Sequence, residues 1–150
     1  MNFKSTDEAL DFAIKNEEEA YAFYTELATQ ASNPTLRKTM EGFAEEEKGH
    51  KAKLLEVKAG NKMISAESRV VDLKIGDYLV DAEASAHMSY QEALILAMKK
   101  EKAAFKLYTH LAASTDDPGL KDVFLALAQE EAKHKLRFEM EYDDQIMTDN

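Results

Sequence analysis

Cysteine is absent from the 150 residues. That excludes disulfides, thiolate metal sites, cysteine nucleophiles and iron–sulfur clusters, and it fits a cytoplasmic location. Backbone punctuation is sparse, with five glycines and two prolines, so long regular elements are expected. The opening "MNFKSTDEALDF" has no long apolar run, and neither a signal peptide nor a membrane span is expected. Positive charge is in deficit, 19 Lys and Arg against 29 Asp and Glu for a net charge of −10. Such a surface argues against nucleic acid and anionic membrane as partners and tolerates cations. Hydrophobic residues make up 45% of the chain, and segments rich in Ala, Glu, Lys and Leu point to helices. The length suits one domain with a full hydrophobic core.

The chain repeats itself. Pairing each residue from Asp7 to Gly60 with the one 84 places later gives 18 identities in 54 pairs, against roughly one in twelve for random pairing within such a composition. Ser5 followed by Glu8, and Ser89 followed by Glu92, are capping-box signatures. "SNPTL" and "DDPGL" place Asn33 and Asp117 as N-caps before a proline at the first helical position. Long helices are therefore expected at 6–31, 34–59, 90–115 and 118–142. The architecture is all-α: two antiparallel helical hairpins, 6–59 and 90–142, forming a four-helix bundle. Residues 60–89 have no partner in the repeat and form a crossover. It is long enough to travel the length of the bundle, about 40 Å at about 1.5 Å per helical residue. Val70, Val71, Leu73, Ile75 and Leu79 should pack the crossover onto the bundle, with a short helix at 75–82.

Each helix has a seam of residues spaced alternately by four and three, the spacing that faces partner helices. The first helix reads Leu10, Ile14, Glu17, Tyr21, Tyr24, Ala28, Ala31, and the second Leu36, Met40, Phe43, Glu47, His50, Leu54, Val57. The third reads Leu94, Met98, Glu101, Phe105, Tyr108, Ala112, and the fourth Leu120, Phe124, Leu127, Glu131, His134, Phe138. Glu, or Glu and His, interrupts every apolar stripe at mid-length. Glu45 and Glu46 fall off the seam and read as solvated. His87 and His110 have no matching His in the repeat and read as surface or local packing.

Height agrees with facing. Glu17 lies 15.5 positions before the first hairpin's midpoint at 32.5, and Glu47 and His50 lie 14.5 and 17.5 positions after it. About the second midpoint, 116.5, Glu101, Glu131 and His134 have the same offsets. Packing the hairpins together brings four carboxylates and two imidazoles to one level. A single Glu-x-x-His on a helix is more often a solvated face, and tyrosines at seam spacing are more often plain core. Six residues matched by repeat, facing and height are not explained that way. Buried carboxylates cost roughly several kcal/mol each or become protonated, and no Lys or Arg occupies the seams. Two divalent cations would balance four ionised Glu, and mixed oxygen and imidazole donors suit Fe, Mn or Zn better than Mg or Ca. The six residues Glu17, Glu47, His50, Glu101, Glu131 and His134 thus read as a two-metal site.

The segments "EEEAYAFY", "EEKGH", "EKAAFKLY" and "EEAKH", with the long crossover, resemble the ferritin-like di-iron carboxylate family and within it the rubrerythrins. The resemblance covers nearly the whole chain. It implies two iron ions bridged by Glu47 and Glu131, with Glu17, Glu101, His50 and His134 completing the ends. Which His shares a metal with which terminal Glu is left open. It also implies that Tyr24 and Tyr108 hydrogen-bond near the ligands, where they would tune the ligands or carry an electron, and that the protein is a homodimer. Two departures stand out. Peroxidase-type rubrerythrins commonly carry a four-Cys rubredoxin-like domain, which a cysteine-free chain lacks, so an external donor such as rubredoxin would be needed. They also carry an extra Glu three residues after the third-helix ligand, where this chain has Ala104.

The function implied is a di-iron oxidoreductase acting on H2O2 or O2, in peroxide scavenging against oxidative stress or as a ferroxidase, with Glu47, Glu131, Tyr24 and Tyr108 nearest the chemistry. The alternatives are iron binding, storage or sensing without turnover, and a bundle whose seam Glu and His are neutral and structural.

Overall fold

Ser5 accepts the backbone N–H of Glu8, and Asn33 accepts that of Leu36. These caps start α1 (Thr6–Thr29) and α2 (Pro34–Ala59), satisfying N–H groups that a helix's first turn leaves free. Ser89 and Glu92 form a complete capping box at the start of α4 (Tyr90–Ser114). At Ser5 the box is only half made, because Glu8 accepts from the N–H of Lys4 instead. Asp117 accepts from Gly119 and Leu120, opening α5 (Pro118–Asp149). The structure, a computed structural model, describes residues 1–80 and 88–149.

The last helix outruns its expected end at 142 and reaches Asp149. Neither Gly nor Pro follows Tyr142 to stop it, and Gln145 donates to Glu141 one turn back. Short joins make α1 pack along α2 and α4 along α5, and the two hairpins close into an all-α four-helix bundle.

After α2 the chain turns at Asn61, whose φ of 52° lies in the left-handed region that Asn tolerates better than most residues. The crossover then makes a 3-10 turn at Ile64–Ala66, the short α3 (Glu67–Val70) and a second 3-10 turn at Ile75–Tyr78. The N-terminal segment ties it down, since Phe3 N–H donates to the Leu73 carbonyl and Ile75 N–H to that of Met1. Val70 and Tyr78 are buried, and Tyr78 stacks on Phe3. The expected helix at 75–82 is therefore only one turn within the described residues. Tyr78 is fixed by Phe3 and His110, and the chain leaves it extended at Leu79. Leu79 is 58% exposed and does not pack into the core as expected. His110 does pack locally, its Nδ1 2.6 Å from the Tyr78 hydroxyl, while His87 lies outside the described residues.

Two apolar clusters fill the bundle. One gathers Leu10, Ile14, Leu54, Val57, Leu107, Leu111, Phe124 and Leu127 beneath the crossover. The other joins Tyr24, Leu27, Leu36, Met40, Leu94, Ala97 and Phe138. Burying each large apolar side chain contributes about 1.5–3 kcal/mol. The four mid-helix Glu and both seam His are buried as well.

One seam assignment fails. Phe105 is 41% exposed and lies in a shallow groove beside Leu136 on the outer face of α4 and α5. With 3.6 residues per turn, positions three and four after Glu101 straddle the seam, and here Ala104 takes the inner place against the core.

Candidate metal centre

The layer between the apolar clusters takes one ligand-bearing turn from each long helix. Glu17 comes from α1, Glu47 and His50 from α2, Glu101 from α4, and Glu131 and His134 from α5. None is more than 8% exposed. Each imidazole reaches across to the other hairpin: His50 Nδ1 lies 2.8 Å from Glu131 and His134 Nδ1 lies 3.0 Å from Glu47. Their rings are 6.4 Å apart and near-parallel.

The polar atoms fall into two overlapping groups. Glu17, Glu47, His50 and Glu131 offer atoms within 4.8 Å of one another, and so do Glu47, Glu101, Glu131 and His134. Glu47 and Glu131 belong to both. Glu17 lies beside His50, 3.6 Å from its Nδ1, and Glu101 beside His134, at 3.7 Å.

Tyrosines set the outer carboxylates from behind. Tyr24 on α1 donates to Glu101 Oε1 on α4, and Tyr108 on α4 donates to Glu17 Oε1 on α1. Burial, reinforced by the surrounding carboxylates, pushes both phenols well above their ordinary pKa. They remain donors. One oxygen of each outer Glu is thereby occupied and the other is left over. Among the described residues, the buried side-chain atoms without a hydrogen bond are Glu17 Oε2, Glu47 Oε1, His50 Nδ1, Glu101 Oε2, Glu131 Oε1, His134 Nδ1 and, elsewhere, Tyr90 Oη. Every one of the six residues contributes one atom. Their nearest neighbours are one another, His50 Nδ1 with Glu131 and His134 Nδ1 with Glu47, so acceptors crowd two imidazoles where buried polar atoms usually have well-formed hydrogen bonds.

Electrostatics point the same way. Burial first, and then neighbouring carboxylates, raise Glu17 and Glu131 well above the usual carboxylate range. Burial alone would lower His134, but the Glu101 and Glu47 carboxylates outweigh it and raise its pKa to about 11. Among the described residues no Lys or Arg pairs with the four Glu. The layer holds oxygen and imidazole donors close enough together to bind metal. The donor set fits borderline divalent ions such as Fe, Mn or Zn.

A cavity of about 140 Å³ reaches the carboxylates between α1 and α4. Ala104 and Ala103 form one wall, Tyr78, Leu79 and Val80 of the crossover another, and Lys100 lies on its lining. On the opposite side, His134 Nε2 is hydrogen bonded to Glu46, and Glu46, Glu130 and His134 also form a close group. Glu45 and Glu46 are both exposed as expected, but Glu46 also bonds a buried imidazole, which its facing did not indicate. The available signal was the repeat itself, which keeps Glu at both 46 and 130 although neither is on a seam.

Comparison with known proteins is consistent with this layer. The family model for rubrerythrin matches residues 8–142. A solved structure of a hypothetical protein from Pyrococcus furiosus aligns with a TM-score of 0.70 at 26% identity, over 90% of this chain and 86% of that one. No curated protein matches the chain.

Proposed function

The chain belongs to the rubrerythrin family, and from that premise we propose that it is a non-haem di-iron oxidoreductase that reduces H2O2 or O2. The observation that carries the reading is the convergence of six inward donor atoms, one from each seam Glu and His, with no Lys or Arg among them. In this reading Glu47 and Glu131, which belong to both groups, would be shared by two metal ions, and Glu17 with His50 and Glu101 with His134 would each complete one of them. Iron is the proposed native metal, with Mn or Zn as the alternatives the donors accept. Such a pair, when bound as Fe(II), would supply the two electrons that, with two protons, convert H2O2 to two waters.

The protein's own residues fix and shield the site. Tyr24 and Tyr108 hold the outer carboxylates with one oxygen facing inward. The apolar clusters on either side exclude bulk water. The cavity of about 140 Å³ admits a molecule the size of O2 or H2O2, since one water occupies about 30 Å³ of liquid. Reducing equivalents come from a separate cytoplasmic donor of rubredoxin type, because the chain has no cysteine to hold a second iron centre. The same reading expects one domain over residues 1–150 and a homodimer.

A second reading is iron binding, storage or sensing without turnover. It is favoured by Ala104, which leaves the ligand set symmetric where peroxidase-type relatives have a further carboxylate. Stopped-flow mixing of the ferrous protein with H2O2 and with O2, followed by repeated turnover under a chemical reductant, separates the two. Sustained consumption of peroxide supports the oxidoreductase. A single oxidation with no further turnover supports binding or storage.

A further inference from the structure

The repeat that builds the metal layer breaks at its imidazoles. His134 presents Nδ1 to Glu47 and Glu101, while its Nε2 is hydrogen bonded to Glu46 on α2. His134 is 1% exposed, so the Glu46 bond fixes a ring already enclosed by Phe43, whose ring centroid lies 4.2 Å away. His50 makes the equivalent inward approach with Nδ1, yet among the described residues no hydrogen bond forms at its Nε2. The repeat counterpart of Glu46 is Glu130. It falls in the group around His134 and pairs with Lys133. Glu46 and Glu130 thus both gather at one imidazole.

We propose that Glu46 is a positioning residue for His134, holding Nδ1 toward the Glu47 and Glu101 carboxylates, so that the two metal positions are not equivalent. A carboxylate can only accept, so Nε2 keeps its proton, and Nδ1 is the nitrogen that gives up its proton to offer a lone pair to an incoming metal. Such a partner fixes the tautomer and ring orientation and raises the donor strength of the imidazole. The Glu101–His134 end is therefore the stiffer, tighter position, since His50 has its inward approach to Glu131 but no carboxylate behind it. The inference rests on the two-metal reading above.

The test is anaerobic Co(II) titration of the metal-stripped protein, following the visible bands of the bound ion, for the wild type, Glu46→Ala, Glu46→Gln and Glu45→Ala. Two equivalents of unequal affinity are expected for the wild type and Glu45→Ala. In Glu46→Ala one equivalent should weaken by about 10–100-fold while the other keeps its affinity. Glu46→Gln, whose amide oxygen can still accept from Nε2, should restore most of the loss. Adding Glu17→Ala, which disables the His50 end, should preserve the Glu46→Ala effect, and adding Glu101→Ala should abolish it. Two unchanged equivalents in Glu46→Ala, equal weakening of both, or Gln behaving as Ala would overturn the positioning role. A wild type that takes up no Co(II) would instead remove the two-metal reading beneath it.

Discussion

Tyr24 on α1 and Glu101 on α4 are 77 positions apart, and the buried phenol donates its hydroxyl hydrogen to one oxygen of the carboxylate. Tyr108 and Glu17 make the reverse connection between the same two helices. The hairpins are thus cross-linked at the level of the buried Glu and His by two donors that also decide which carboxylate oxygen faces inward.

Replacing Tyr24 by Phe strands a buried carboxylate oxygen. The expected loss of stability is about 1–3 kcal/mol, measured by denaturant unfolding. Metal stoichiometry should be retained, but oxidation of the ferrous protein should slow because Glu101 is free to turn. Tyr108→Phe should behave alike through Glu17.

The shared carboxylates should differ from the outer ones. Glu47→Ala or Glu131→Ala should remove both metals, because both residues belong to both groups, while Glu17→Ala should remove one. Stability should move in the opposite sense. Deleting one of several buried, like-charged groups relieves the metal-free protein, so Glu131→Gln should raise the unfolding temperature of the stripped protein and cancel the rise that metal gives the wild type. Elemental analysis and thermal unfolding read the two effects.

Acidity gives a third outcome. Folding raises Glu17 and Glu131 above their ordinary 4.5 and His134 from 6.5 to about 11. Above the ordinary values the folded chain therefore holds more protons than the unfolded chain, and stability must fall as pH rises. Metal-free protein should lose thermal stability from pH 5 to pH 9. Metal binding displaces these protons, so affinity should increase over the same interval. Thermal scans and Co(II) titrations in matched buffers check both signs.

Ala104 keeps open the cavity beside the carboxylates. Ala104→Leu should fill it, leaving two metals bound but slowing oxidation by H2O2 in stopped-flow traces. Unchanged rates would place the substrate's route elsewhere.

Phe105 points away from the core, so Phe105→Lys should alter stability by no more than about 0.5 kcal/mol. Phe138→Ala, at a fully buried seam position, should cost about 3–5 kcal/mol. Denaturant unfolding of the two variants tests the corrected register directly.

The bundle was legible because its signals are local and repeated. Caps at Ser5, Asn33, Ser89 and Asp117 fix where the helices begin, and identical hairpin offsets put the Glu and His at one height. Features that depend on packing were not legible. A strict four–three alternation cannot tell whether Ala104 or Phe105 takes the inner place, because both lie near the seam edge. The crossover turn at Ile75–Tyr78 is set by contacts with Phe3 and His110, far away in sequence. Glu46 reads as surface by facing alone, since its partner His134 stands 88 positions later on another helix.

The central claim is that six named side chains hold two metal ions. Crystals grown anaerobically with Fe(II), measured on both sides of the iron absorption edge, test it most directly. The account predicts two anomalous peaks per chain, one among Glu17, Glu47, His50 and Glu131 and one among Glu47, Glu101, Glu131 and His134. No peak within this layer, or iron bound only at surface carboxylates, would contradict it.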